Sequence, residues 1–477
     1  MEKKHNGLNA THLTMMALGT VIGGSFFLGS SVAIHAAGPS ILISYILGGI
    51  LVYFILFAFS EMTVANPDSG SFRTFAANTF GPGTGFVVGW VYWTGMVLAM
   101  SSEATAVSIL VREWYPNISI PVLGSLIIIG VTLLNLLGAD KLSKLESGLA
   151  SIKLLAIVSF IVIGLLLISG LLGGKAIGTG ELTNEPFMPG GIRGIAGSML
   201  IVIFSYAGFE IIGLAASEAK DPKKTIPKAI TTTVICLVGF YIVSVAVLLP
   251  LIPTASLSED VSPMVAALNL QGMGWAGTVI NIVLITAILS TMLAAMFGLG
   301  RMMRSLADEG HAPTFIQDKS DVPYKGILFS GASMLLGLSI GLLLPSVYMF
   351  LISSGGFALL FTYTVIMATH IRFRKKNGCP PEGKCQMPGF PFTSWIALIC
   401  LIVIILSMPF ISGQSSGLIA GIIMIIFYSS IYLAMKYLNN SRKNYESNKI
   451  IINHKILPAE YSDELTDINI KRHDLKD

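Results

Sequence analysis

Three ionisable side chains lie inside long apolar stretches of this sequence, where a charge is costly. Glu103 lies in the third such stretch, Lys153 in the fifth and Glu210 in the sixth. A charge within a membrane costs at least about 2.5–3.5 kcal/mol on insertion scales, so each such residue is a functional candidate. Burial also makes carboxyl groups and amines prone to gain or lose a proton. We therefore predict that these three residues take part in proton coupling or gating.

Each of these residues also has a structural interpretation. Glu210 could hydrogen-bond the backbone of the first apolar stretch. Glu103 could pair with a neighbouring Ser or Thr, or could contact a cationic substrate. Lys153 could be an interfacial lysine that extends its amine to water. The sequence leaves these alternatives open.

We expect the other polar residues at or within the apolar stretches to have mainly structural roles. Glu61 ends the second apolar stretch, and we expect it to order a cytoplasmic loop by pairing with Arg73. Ser290 and Thr291, in the eighth stretch, offer hydroxyls that could bind sodium, although such hydroxyls more often serve packing. We expect His370 to lie at the membrane interface.

Two of the apolar stretches contain small residues that should interrupt a helix. They are residues 19–29 (GTVIGGSFFLG) and 204–210 (FSYAGFE). A membrane tolerates a broken helix only where the freed N–H and C=O groups face protein, water or a bound solute. Paired breaks of this kind point to a transporter's binding site. The sequence thus predicts a substrate site where the two breaks meet.

The elements that must position these residues are membrane-spanning helices. The chain is 53% hydrophobic and only 12% charged, whereas soluble domains carry about 25% charged residues. Runs of about 20 apolar residues can span a bilayer. The predicted spans are roughly 11–35, 40–63, 83–111, 120–138, 149–172, 194–217, 228–250, 275–303, 326–344, 347–371, 391–411 and 415–437.

The positions of the breaks predict how the spans are organised. The predicted fold is an all-α membrane protein with twelve transmembrane helices, of which helices 1 and 6 are unwound. Breaks in the first helix of each half suggest two inverted five-helix repeats, 1–5 and 6–10, plus two extra helices. Residues 1–437 form the predicted transporter domain, and residues 438–477 form a polar cytoplasmic tail, mobile or weakly helical.

The distribution of positive charge predicts the orientation. With a cytoplasmic N-terminus, the outer segments hold only Arg112, Lys175 and Arg193 of the 30 Lys and Arg residues. This asymmetry fits the positive-inside rule and an even number of spans. We therefore expect a multi-pass protein of the cell membrane with both termini in the cytoplasm. The net charge of +4 reflects topology and does not indicate a nucleic-acid partner.

The sequence gives no sign of a metal, a cofactor or catalytic chemistry. Four cysteines are too few for a disulfide scaffold. Cys379 and Cys385 are a poor zinc signature and lie in a cytoplasmic loop, where thiols are expected to stay reduced. No Walker motif is present, and no His–Asp pair or paired carboxylates indicate an enzyme.

Four segments resemble the amino acid–polyamine–organocation (APC) superfamily, and within it the bacterial amino acid permeases. They are GTVIGGSFFLG, SEMTVANPDSGSF, FSYAGFEIIGLAASEAKDPKKTIPKAI and RMMRSLADEGHAP. The resemblance covers about residues 8–440. It implies two inverted five-helix repeats and an α-amino acid bound by the unwound centres of spans one and six.

The resemblance also implies which residues bind the substrate. Its carboxylate should meet the N–H groups of Gly23, Gly24 and Ser25, where half-helix ends favour an anion. Its ammonium should meet carbonyl oxygens near Val21, Phe204 and Ala207, with the Phe204 ring covering the solute. The full predicted binding set is Val21, Ile22, Gly23, Gly24, Ser25, Phe204, Ser205, Ala207 and Gly208.

Two details qualify the resemblance. The family usually has Gly-Ser/Thr-Gly where this chain has Gly23-Gly24-Ser25, and the Ser25 side chain favours a small substrate. In some relatives a lysine in span five occupies the place of a sodium ion. Lys153 could therefore carry a coupled proton.

The predicted function is secondary active import of amino acids by alternating access. We expect proton-coupled symport of small or medium neutral amino acids, because Phe204, Phe209 and Met96 suggest an apolar pocket. The alternatives are amino acid or amine exchange, sodium-coupled symport, and a nutrient sensor that does not transport. The expected partners are the amino acid, the proton and the bilayer, and the sequence does not indicate an oligomeric state.

Overall fold

The computed structural model describes residues 9–65, 71–172, 174–210, 212, 219–320, 322–343, 346–379 and 387–455. Sixteen α-helices and no β-strand occur among these residues. The basic N-terminal segment, the loop residues 66–70, residues 213–218 at the end of the predicted sixth span, Cys385, and the tail beyond 455 lie outside the described residues.

The helices are named in chain order. They are α1 (Ala10–Val21), α2 (Gly24–Phe27), α3 (Gly29–Ala37), α4 (Ile41–Ala65), α5 (Ser71–Phe80), α6 (Pro82–Val111), α7 (Ile120–Asn135), α8 (Ala139–Ser169), α9 (Gly191–Ser205), α10 (Pro222–Leu248), α11 (Pro263–Leu270), α12 (Gly274–Asp308), α13 (Tyr324–Gly341), α14 (Val347–Asn377), α15 (Phe392–Ser407) and α16 (Ser415–Lys455).

Local sequence explains where several helices begin. The Asn9 side chain caps α1 by accepting a hydrogen bond from the His12 N–H at 2.9 Å. Pro82 and Pro263 occupy the first turns of α6 and α11, where a missing N–H breaks no helical hydrogen bond.

The described residues form an all-α membrane protein. Eight of their helical segments are long and apolar enough to cross a membrane. Ile120–Asn135 and Gly191–Ser205 are apolar but shorter, and the second of these ends at one of the predicted breaks. The count of twelve spans and the inverted repeat remain predictions.

The helices form two sets of mutual contacts. In the first set, α3 and α4 pack against α9, and α1 and α4 pack against α10. In the second set, α6, α7, α12 and α13 pack against one another. Helix α14 packs closely along α6, because a Cβ on Gly95 would lie only 2.3 Å from Ala358 Cβ. Glycine therefore allows spans three and ten to approach.

Two features concern the C-terminal third of the chain. Cys379 is disulfide-bonded, so the prediction that it is reduced is wrong. The chain divides into two compact units, Met1–Ile425 and Ile426–Asp477. In the second unit the chain stays helical through Lys455, which is well within the predicted tail.

Candidate functional site

The first break lies where the sequence predicts it. Helix α1 ends at Val21, and α2 begins at Gly24. Ile22 and Gly23 between them are extended, with ψ values of 103° and −162°. The Ile22 N–H still donates to the Leu18 carbonyl at 3.4 Å. Beyond it, backbone groups of the break bond to side chains of other helices.

Glu103 of α6 is one of these partners. Its Oε2 accepts a hydrogen bond from the Gly24 N–H at 2.7 Å. A Cβ on Gly24 would lie 2.6 Å from this oxygen, and one on Gly23 would lie 3.2 Å from Glu103 Oε1. The two glycines therefore let a buried carboxylate reach the backbone. The partner of Glu103 is the backbone of span one, not the neighbouring Ser or Thr that we considered.

Lys153 of α8 is the second partner of the break. Its Nζ donates to the Gly19 carbonyl at 2.6 Å and to Thr291 Oγ1 at 2.8 Å. The Thr291 hydroxyl in turn donates to the Ile22 carbonyl at 3.0 Å. Lys153 is 0% exposed, so it does not extend its amine to water. The ammonium joins spans one, five and eight at the break.

The second break is also at its predicted place. Helix α9 ends at Ser205, and residues 206–210 form a turn in which Gly208 has a φ of +107°. The Gly208 N–H donates to Glu210 Oε2 at 2.9 Å, and Tyr363 Oη donates to Glu210 Oε1 at 2.5 Å. The partners of Glu210 are thus in spans six and ten rather than in the span-one backbone.

The structure brings the two breaks together. Ser205 Oγ donates to the Ser25 carbonyl at 3.1 Å, and Thr20 Oγ1 donates to the Gly208 carbonyl at 3.1 Å. A Cβ on Gly208 would lie 3.0 Å from the Thr20 carbonyl oxygen. All nine residues of the predicted binding set are buried or half-buried. Residues about 180 positions apart in sequence therefore line one region.

One prediction about the cytoplasmic side is wrong. Arg73 pairs with Glu309 rather than with Glu61, and its Nη1 lies 2.5 Å from Glu309 Oε2. Glu61 instead bonds to His370 at 2.8 Å and to Arg374 at 3.2 Å. His370 is 0% exposed, so its side chain lies inside the protein, and its place at the membrane interface stays a prediction. The sequence could not predict which of these groups pair, because they lie on different helices whose packing the sequence does not specify.

Sequence reasoning did not single out three tyrosines at the site. Tyr363 bonds to Glu210, Tyr241 Oη donates to the Ser205 carbonyl at 2.9 Å, and Tyr348 Oη lies 3.5 Å from the Gly24 carbonyl. Tyrosines are frequent at membrane interfaces as well. Their residue type and spacing therefore do not distinguish a tyrosine of the site from a tyrosine at the interface.

Comparison with known proteins identifies the family of this chain. The family model for amino acid permeases matches residues 12–448. The chain belongs to the amino acid permease family. Relatives of this permease include an uncharacterized amino acid permease, YtnA, of Bacillus subtilis (strain 168), which is 34% identical over 90% of this chain and 95% of its own length.

Two further relatives of the permease have names that state a substrate. The gamma-aminobutyric acid permease of Bacillus subtilis (strain 168) is 33% identical over 88% of this chain and 92% of its own. The aromatic amino acid transport protein AroP of Escherichia coli O157:H7 is 33% identical over 87% and 92%, respectively. The permease is thus a membrane protein of an amino acid transporter family and not an enzyme, as predicted.

Proposed function

We propose that this permease imports small or medium neutral amino acids by proton-coupled symport. It does so in the cell membrane, with both termini in the cytoplasm. The main observation that supports this proposal is that both predicted breaks exist and lie against each other. The hydrogen bond from Ser205 Oγ to the Ser25 carbonyl joins them. Backbone groups at such breaks are not used within a helix and suit the two charged ends of a zwitterion.

The contacts of Lys153 support coupling to a proton. The ammonium joins the Gly19 carbonyl of span one to Thr291 of span eight. Loss of its proton would remove a positive charge and weaken this link between the two sets of helices. Buried lysines change protonation more readily than exposed ones, because burial disfavours the charged form.

The same contacts favour a proton over sodium. Thr291 was one of the two sequence candidates for a sodium ligand, and its hydroxyl lies 2.8 Å from Lys153 Nζ. An ammonium group at this distance would repel a cation. The amine therefore takes the place that a sodium ion would need.

The residues at the breaks support a small or medium neutral substrate. Phe204 and Ser25 are each 5% exposed, so both side chains lie inside the protein. The Ser25 side chain thus occupies volume beside the proposed carboxylate position. The names of the relatives range from gamma-aminobutyric acid to aromatic amino acids and do not narrow the substrate. The size limit therefore rests on Ser25 and on the Phe204 ring.

The two contact sets suggest the alternating-access motion. Spans one, two, six and seven would rock against spans three, four, eight and nine. The Lys153–Gly19 hydrogen bond of 2.6 Å crosses from span five to span one and would change during the cycle. The Gly19 carbonyl dipole is attracted to the Lys153 ammonium, so loss of the Lys153 proton would weaken this hydrogen bond.

The proposal is tested by uptake into proteoliposomes containing the purified permease. Twenty radiolabelled L-amino acids are offered with an imposed pH gradient, a sodium gradient or neither. We expect accumulation of small neutral amino acids with the pH gradient alone, abolished by a protonophore.

Other outcomes would contradict specific parts of the proposal. Accumulation that needs sodium and survives the protonophore would replace proton coupling with sodium coupling. Uptake that requires preloaded amino acid and carries no current would indicate exchange. Binding without any flux would indicate a sensor.

A further inference from the structure

The Glu103 carboxyl group occupies backbone donors that the family resemblance assigns to the substrate carboxylate. Its Oε2 lies 2.7 Å from the Gly24 nitrogen, and the Ser25 N–H lies close enough to interact with the same carboxyl group. Glu103 is 4% exposed. The unwound backbone therefore has an internal carboxylate as its partner.

We propose that Glu103 and the substrate carboxylate are alternative partners of the Gly24 and Ser25 N–H groups, and that Glu103 releases them by binding a proton. This inference rests on the proposed function and adds the way in which proton and substrate are linked. Each carboxylate that enters the site requires one proton on Glu103.

The reason is electrostatic. Two carboxylates that share one pair of donors in a buried site repel each other strongly, so both cannot be ionised there. A neutral carboxyl group is a weaker acceptor than a carboxylate. Its O–H group can also donate a hydrogen bond to the arriving carboxylate. The proton comes from the solution and the zwitterion adds no net charge, so the loaded site gains one positive charge.

Other titratable groups face Glu103 from neighbouring helices. They are Lys153 on α8, Tyr241 on α10 and Tyr348 on α14. Tyrosine is neutral below about pH 9, since its ordinary pKa is about 10. Lys153 is bonded to Gly19 and Thr291 instead of Glu103. Lys153 and Glu210, the other two buried ionisable residues that the sequence singled out, are thus the competing candidates for the coupled proton.

The experiment measures binding of the twenty radiolabelled L-amino acids to purified permease between pH 5 and pH 8. The tightest binder and its α-amide, which lacks a carboxylate, are then compared in the wild type and Glu103→Gln. The wild-type affinity for the amino acid should rise about tenfold per pH unit of acidification while Glu103 is ionised. The affinity of Glu103→Gln should be independent of pH and equal to the acidic limit of the wild type.

Three further measurements make the result specific. The α-amide should show a weaker pH dependence than the amino acid in the wild type, because no second carboxylate enters. Glu103→Asp has a shorter side chain that cannot reach Gly24, so it should bind more tightly than the wild type at pH 8. Glu185→Gln is a matched control, since Glu185 is another carboxylate that accepts a backbone N–H, from Thr254 at 2.7 Å. It should keep the wild-type pH dependence.

The outcomes separate this inference from the proposed function. An unchanged pH dependence in Glu103→Gln, or its loss in Lys153→Gln alone, would overturn the inference while leaving amino acid binding intact. Loss of affinity at every pH in Glu103→Gln would also overturn it and would make Glu103 a ligand of the ammonium. If the wild type bound none of the twenty amino acids, the proposed function would fail, and the inference with it.

Discussion

His370 Nε2 lies 2.8 Å from Glu61 Oε2, and both side chains are 0% exposed. The same carboxylate accepts hydrogen bonds from Arg374 and, at 2.6 Å, from the Met387 N–H. One acid on span two therefore holds span ten and the segment that follows it. Tyr363, two helical turns before His370 on α14, bonds to Glu210 of span six. Span ten is thus tied to two spans of the first contact set.

Replacing Glu61 should destabilise the protein. Glu61→Ala leaves Arg374 and His370 buried without their anion, and breaking a buried ion pair costs about 3–5 kcal/mol. We expect a clear fall in the thermal unfolding midpoint of the purified permease in detergent. Ser394→Ala is the control, because Ser394 Oγ makes only a 3.4 Å contact with His370 Nδ1. Equal midpoints for the two variants would contradict this role of Glu61.

Replacing Lys153 should separate substrate exchange from proton-driven accumulation. Lys153→Gln removes the charge that joins Gly19 and Thr291, and we expect no accumulation under a pH gradient but continued counterflow. Lys325→Gln is the control, since Lys325 Nζ bonds to the Gln317 carbonyl in an exposed position. Normal pH-driven accumulation in Lys153→Gln would argue against Lys153 as part of the coupling.

A side chain at Gly24 should disturb the site. The Cβ of Gly24→Ala would lie 2.6 Å from Glu103 Oε2 and 3.3 Å from Ala106 Cβ, so it would fill the space in which a carboxylate meets the Gly24 N–H. We expect at least about tenfold weaker amino acid binding, equivalent to about 1.4 kcal/mol, measured with the tightest binder. Gly24→Val should abolish binding.

Gly130→Ala is the matched control for Gly24→Ala. A Cβ there meets nothing within 4 Å, and alanine is about 1 kcal/mol more favourable than glycine in a helix. We expect unchanged binding and equal or higher stability. Normal affinity in Gly24→Ala would contradict the proposed site.

The cytoplasmic pair of Arg73 and Glu309 should make stability depend on pH. The hydrogen bond from Arg73 holds the pKa of Glu309 below its ordinary value of 4.5. A carboxyl group with a lowered folded-state pKa stabilises the protein above its unfolded pKa, and this contribution is lost as the pH falls through the folded value.

Comparison of Arg73→Gln with the wild type tests this dependence. The variant should be less stable at pH 7, and the difference in unfolding midpoint should shrink as the pH falls below 4.5 and disappear below the lowered folded-state pKa of Glu309. The effect should be small, because Glu309 is 46% exposed and solvent screens the pair. A difference that stays constant down to pH 3 would show that packing of Arg73, not its charge, stabilises the protein.

The sequence by itself determined the class of protein, the location of both breaks and the three buried ionisable residues. The reason is that a membrane imposes local rules. The backbone groups of a span must be hydrogen-bonded within the protein, which an unbroken helix achieves by itself. The small residues within residues 19–29 and 204–210 therefore identify interruptions directly. A charge in an apolar run, such as Lys153, is equally visible without knowledge of its neighbours.

Only the tertiary structure decided which groups meet. The bond between Glu103 and Gly24 joins residues 79 apart, and that between Glu61 and His370 joins residues 309 apart. Such pairs depend on the register and rotation of packed helices, which composition and spacing do not specify. For this reason the sequence paired Glu61 with Arg73, whereas the packed helices pair Glu61 with His370 and Arg73 with Glu309.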